Sequence, residues 1–137
     1  MAKRKKEVPT GVKVLSVLGY LATFVLAITG GSIIATGAEK MTNLLNVLGF
    51  AGIGKTEIIT TGILFLLMAA LYFFISKDLW VGKNWARIAL ITLSAIWAIF
   101  ALISLIMGDL GSIISLVIHG LVGSYMMWSK EVVSAFK

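Results

Sequence analysis

The chain has 137 residues, 59% of them apolar or aromatic and 13% charged, with a mean hydropathy of +1.02. Soluble domains carry about 25% charged residues, and at this size they leave too much surface exposed to hide so much apolar side chain, so the composition excludes a water-soluble globule and makes lipid the expected solvent. The lack of cysteine excludes disulfides, thiolate metal sites and a cysteine nucleophile, while the net charge of +6 informs mainly through its placement.

In chain order, residues 1–10 read as a basic cytoplasmic N-terminus carrying Lys3, Arg4, Lys5 and Lys6. The apolar run behind them continues to about residue 35. That is longer than the about 7–15 residues of a signal-peptide core, and no A-x-A-like site follows, so an uncleaved first span is expected. Residues 11–137 read as one four-helix transmembrane domain, with spans over residues 11–36, 58–75, 86–107 and 112–128. Each approaches the about 20 residues that carry a helix across hydrocarbon. The spans must be helical, because a chain this short cannot close a barrel and lipid satisfies no backbone polar groups.

The connections differ in kind. Within residues 37–57, the stretch 41–48 is expected to form a short amphipathic helix at the interface. Residues 76–85 join the second and third spans. Residues 108–111 leave room only for a tight turn, which makes the last two helices antiparallel neighbours.

Orientation follows from the basic residues. Lys3, Arg4, Lys5, Lys6, Lys13, Lys77, Lys83, Arg87, Lys130 and Lys137 fall on one side, and only Lys40 and Lys55 on the other. This places both termini in the cytoplasm. Trp80, Trp85 and Trp128 then lie at the cytoplasmic interface, where amphipathic rings are favoured, and serve with Lys83 and Arg87 as interface anchors. The two helix pairs differ in loop length and polar content, so an inverted-repeat transporter within one chain is not supported.

Few residues carry candidate chemistry. Residues 49–56, with Gly49, Gly54, Lys55 and Thr56, match the phosphate-binding pattern G-x-x-x-x-G-K-[ST]. That motif needs a strand before it, a helix after it and an acidic magnesium ligand elsewhere. Four spans leave no residues for such a sheet, so no nucleotide is expected, and the segment reads as a Gly-rich loop entering the second span. His119, the single histidine, sits mid-span and is the candidate intramembrane polar site. It offers a proton relay, a metal ligand or half of a haem site. Against these stands a neutral imidazole bonded to Ser104, Ser115 or a neighbouring backbone carbonyl. No second His or Cys exists to complete a metal site, so no metal or cofactor is expected.

The remaining features have structural readings. Glu39, Glu57 and Asp109 belong to the outer side, Asp78 and Glu131 to the cytoplasmic side, and Asp109 is expected to stabilise the last turn. The first span lacks the embedded carboxylate of four-helix proton-coupled exporters. Gly120 and Ser124, Ser94 and Ala98, and Gly108 and Ser112 stand at helix-packing spacing, as expected of bundle packing rather than a dimer face. Trp97 is expected to fill the bundle core. Hydroxyls such as Thr23, Thr29, Thr61 and Thr92 are expected to bond back to their own helices. The basic N-terminus has no interleaved aromatics, so anionic head groups account for it better than nucleic acid does.

Three stretches together carry a resemblance: Pro9-Thr10-Gly11-Val12-Lys13-Val14-Leu15, Trp80-Val81-Gly82-Lys83-Asn84-Trp85-Ala86-Arg87 and Glu131-Val132-Val133-Ser134-Ala135-Phe136. Their layout resembles small four-span membrane proteins of archaea and bacteria that are described as uncharacterised. The resemblance implies a four-span architecture and brings no activity or functional residue with it.

The sequence thus leads to an all-α four-helix transmembrane bundle, multi-pass in the cell membrane, with no catalytic constellation and no enzymatic role expected. Its expected partners are the bilayer and either further copies of itself or a larger membrane complex, in which it acts as a structural or accessory subunit. The competing expectation is an oligomeric channel or transporter with a path near His119.

Overall fold

The structure is a computed structural model that describes residues 7–37, 39, 40, 43 and 54–136. Among the described residues every regular element is helical. The elements are α1 (Thr10–Thr36), α2 (Lys55–Val81), α3 (Asn84–Ile106), α4 (Ser112–Trp128) and α5 (Lys130–Ala135). Helices α1, α2 and α3, of 27, 27 and 23 residues, are long and apolar enough to cross a membrane, and α4 is a shorter apolar helix. The interfacial helix expected over residues 41–48 lies outside the described residues, apart from Asn43.

The expected element bounds need two corrections. Helix α2 runs to Val81, past the expected end at residue 75, so the connection to α3 is only Gly82 and Lys83. The tail also forms a helix of its own, α5, after a break at Ser129, whose ψ of 118° leaves the helical region.

Both hairpin turns begin in the same way. The N–H of Lys83 bonds to the Asp78 carbonyl and that of Gly82 to Leu79, while the N–H of Asp109 bonds to Ser104 and that of Gly108 to Leu105. This pair of bonds closes a helix when the residue after its last turn takes positive φ, which glycine alone adopts without a steric penalty. Gly82 and Gly108 have φ of 81° and 98°.

The chain divides into two compact units. In Val17–Phe74, α1 and α2 pack through small residues. A Cβ on Gly30 would stand 2.8 Å from the Gly62 carbonyl oxygen, so the two backbones nearly touch. Tyr20 and Phe73 meet edge to face at 5.8 Å. Phe24, Val25 and Leu67, by contrast, are exposed. Small residues between helices and large apolar ones facing outward is the arrangement expected in lipid, where close packing rather than water drives helix association.

The other unit, Met1–Ser16 with Ile75–Lys137, holds the main apolar cluster. Val12, Ile75, Leu79, Ala86, Met126, Val132 and Phe136 are buried together, with Val8, Leu15 and Tyr125 against them. These residues come from the start of α1, the end of α2, the start of α3, the end of α4, and α5 with Phe136 just behind it. Both described chain ends and the α2–α3 turn therefore share one core.

Candidate functional site

Two polar arrangements stand out, both in the unit that contains α3 and α4. The first is a latch at the α2–α3 turn. Asp78, in the last turn of α2 and beyond the apolar stretch that ends at Ile75, accepts a 2.7 Å hydrogen bond from the Trp85 indole N–H. Its other oxygen pairs with Lys83 Nζ at 2.9 Å, and its side chain is only 13% exposed. The bonded Lys83 ammonium, foremost, and then Trp85 and the charge of Lys77 hold the Asp78 carboxyl below its ordinary range, against the opposing effect of burial. Lys83 is the fifth residue after Asp78, and the tight turn at Gly82 is what lets them meet.

The same end is closed by Arg87. Its Nε donates to the Met126 carbonyl at 2.8 Å, and Nη1 reaches Asn84 Oδ1 at 3.4 Å. Met126 lies in the last turn of α4, where carbonyls lose their helical partners before the break at Ser129. Arg87 thus satisfies an orphan acceptor and ties the start of α3 to the end of α4. A third tie is Ser16, whose buried hydroxyl donates to the Ser76 carbonyl.

Of the expected anchors, Trp85, Lys83 and Arg87 make polar contacts within the protein, while Trp80, Trp85 and Trp128 are 48%, 44% and 71% exposed. Asp78 was not singled out from sequence. A carboxylate followed at five residues by lysine and at seven by tryptophan across a glycine was the available signal.

The second arrangement surrounds His119. Its Nδ1 lies 2.8 Å from the Ser115 carbonyl oxygen and 3.3 Å from the Ser115 hydroxyl. A carbonyl only accepts, so Nδ1 carries a proton in this contact, and in the neutral ring that leaves Nε2 as the acceptor. Trp97 on α3 places its ring 6.2 Å away, tilted by 34°, and Phe100 lies 6.2 Å beyond Trp97. Of the partners expected for the imidazole, Ser115 is the one used. Trp97 departs from the core position expected of it, because it is 40% exposed. The seam between α3 and α4 is closed instead by small residues, with Ser94 buried beside Gly123.

The other polar groups serve local structure. Thr23, Thr29, Thr61 and Thr92 each donate to the carbonyl four residues back. Asp109 accepts from the Gly111 N–H and from the Ser112 hydroxyl, and so holds the α3–α4 turn. Of the nucleotide-like pattern, residues 49–53 lie outside the described residues, while Lys55 and Thr56 open α2. Among the described residues no three His, Asp or Glu side chains cluster as metal ligands do. Comparison with family models, curated proteins and solved structures gave no match.

Proposed function

We propose that the chain is a multi-pass protein of the cell membrane, a four-helix transmembrane bundle with both termini cytoplasmic, acting as a structural or accessory subunit. Its proposed kinship is with small four-span membrane proteins of archaea and bacteria. The observation that carries the functional reading is how the described polar groups are used. The threonine hydroxyls bond their own helices, Ser16 ties the start of α1 to the end of α2, and Asp78, Asp109 and Arg87 hold turns and helix ends. Chemistry requires groups held ready for a substrate, and support of a larger assembly does not.

The shared core supports the threading. Residues of α1's start, the α2–α3 turn and α5 pack together, which suits an even number of crossings. Lys13, Lys77, Lys83, Arg87 and Lys130 belong to that end, as the positive-inside rule asks of a cytoplasmic face. The fourth crossing is the one that needs argument, because 17 residues rise about 25 Å against a core of about 30 Å. Helix α4 runs antiparallel to α3 over most of its length, since Arg87 near the start of α3 reaches Met126 near the end of α4. Local thinning of the bilayer accommodates the few missing ångströms at modest cost.

The transport reading would draw on His119. Its neighbours are Ser115 and the ring of Trp97 rather than a chain of ionisable groups, so it is the less supported of the two. Extraction of the protein from its own membrane directly into lipid discs, followed by native mass measurement, tests the accessory role. An oligomer or a stable complex with a second protein is expected, and a solitary 14.7 kDa chain contradicts it.

A further inference from the structure

The imidazole of His119 is left with one capacity unused. With Nδ1 donating to the Ser115 carbonyl, Nε2 is an acceptor, and among the described residues nothing donates to it. The nitrogen is not sealed in, because the described side chains leave no buried nitrogen or oxygen without a partner. His119 stands eighth in the 17-residue α4, about 10 Å along the axis from its start and about 14 Å from its end. On the bilayer reading proposed above, on which this inference rests, head groups and water do not reach that depth. A lone pair facing hydrocarbon loses the hydrogen bond it would have in water. On that reading, a donor that restores the bond has to reach the nitrogen within the bilayer core. The surroundings narrow its chemistry further, since Trp97, 40% exposed, presents its ring beside the imidazole, and Phe100, 58% exposed, continues the aromatic surface on the other side of Trp97.

We propose that His119 Nε2 accepts a hydrogen bond from a lipid-soluble hydroxylated aromatic ring, of the phenol or hydroquinone class, which lies against Trp97 and Phe100. The arrangement supplies both parts of such a site: an acceptor whose tautomer is fixed by its own helix, and ring faces of the kind on which planar molecules stack or sit edge-on. The proposal concerns binding alone and involves no electron or proton transfer.

His119 is the single histidine, so full-length protein labelled with ¹⁵N-histidine in phosphatidylcholine bilayers gives one imidazole in solid-state NMR. Before any addition, Nδ1 should read as protonated and Nε2 as bare, without a cross-peak to water. Trimethylhydroquinone, kept reduced, should move the Nε2 resonance in a saturable way. Its dimethyl ether, with the same ring and no donor, should leave the resonance in place. Trp97→Ala should weaken the hydroquinone response about five-fold. A dry Nε2 that hydroquinone does not move, or that the ether moves equally, overturns the proposal while the bilayer reading stands. A Nε2 already hydrogen-bonded in the absence of the probe also overturns it. A water cross-peak at the start removes the membrane depth on which both depend.

Discussion

Asp78 shows how one carboxylate sets local structure at the α2–α3 turn. Its acceptance of bonds from Lys83 and Trp85 fixes the turn between α2 and α3. Because its folded-state carboxyl titrates below the ordinary value, its contribution is complete above the unfolded carboxylate pKa of about 3.9 and is lost as pH falls from there toward the folded value. Thermal unfolding in mild detergent should therefore show a stability loss below about pH 4 that Asp78→Asn abolishes, with the variant less stable than the parent at pH 7. An identical acid profile in the variant would assign that loss to other groups. Arg87 is argued in the same way. Arg87→Ala should cost about 1–2 kcal/mol by leaving the Met126 carbonyl unpaired, and Arg87→Lys should recover little, because an ammonium lacks the planar fork that also reaches Asn84. Full rescue by lysine would mean that charge alone matters.

Among the elements, packing separates neighbours that look alike in sequence. Gly30 and Gly31 are adjacent, yet a Cβ at Gly30 meets the Gly62 carbonyl whereas one at Gly31 meets nothing within 4 Å. Gly30→Val should destabilise by about 1–3 kcal/mol through overpacking, while Gly31→Ala should be neutral or slightly stabilising. Equal effects in thermal unfolding would argue against the α1–α2 contact. The apolar runs made α1, α3 and α4 legible to within two residues. The end of α2 was not legible, because Ser76, Lys77 and Asp78 have loop composition. The helix continues through them since Asp78 finds its cation and indole across the turn, and since Gly82 rather than the first charge ends it. Helix α5 was hidden by its brevity. Only Val132 and Phe136, four residues apart and buried in the core, give it a reason to form. Phe136→Ala should cost about 3 kcal/mol of stability, and a negligible cost would mean that the tail does not dock. At the candidate site, the position of His119 was legible and its choice of partner was narrowed to three. The partial exposure of Trp97 was not legible, because an aromatic in mid-span reads the same whether it faces a helix or lipid.

For the whole molecule, the central proposal is that the two chain ends and the α2–α3 turn face the cytoplasm, with the ends of α1 and α3 on the far side. The core built from Val12, Leu79, Ala86, Met126, Val132 and Phe136 gives this claim its physical basis, since segments sharing one core cannot lie on opposite sides of a bilayer. The split of basic residues gives it a direction. The absence of native cysteine makes the test clean. Single substitutions Ala2→Cys, Lys77→Cys and Lys137→Cys, with Lys40→Cys and Leu110→Cys, are exposed in intact cells to a membrane-impermeant maleimide. The account predicts labelling at positions 40 and 110 only, with positions 2, 77 and 137 reacting once the membrane is opened. Labelling of position 137 or position 77 in intact cells, or protection of position 110, would contradict it.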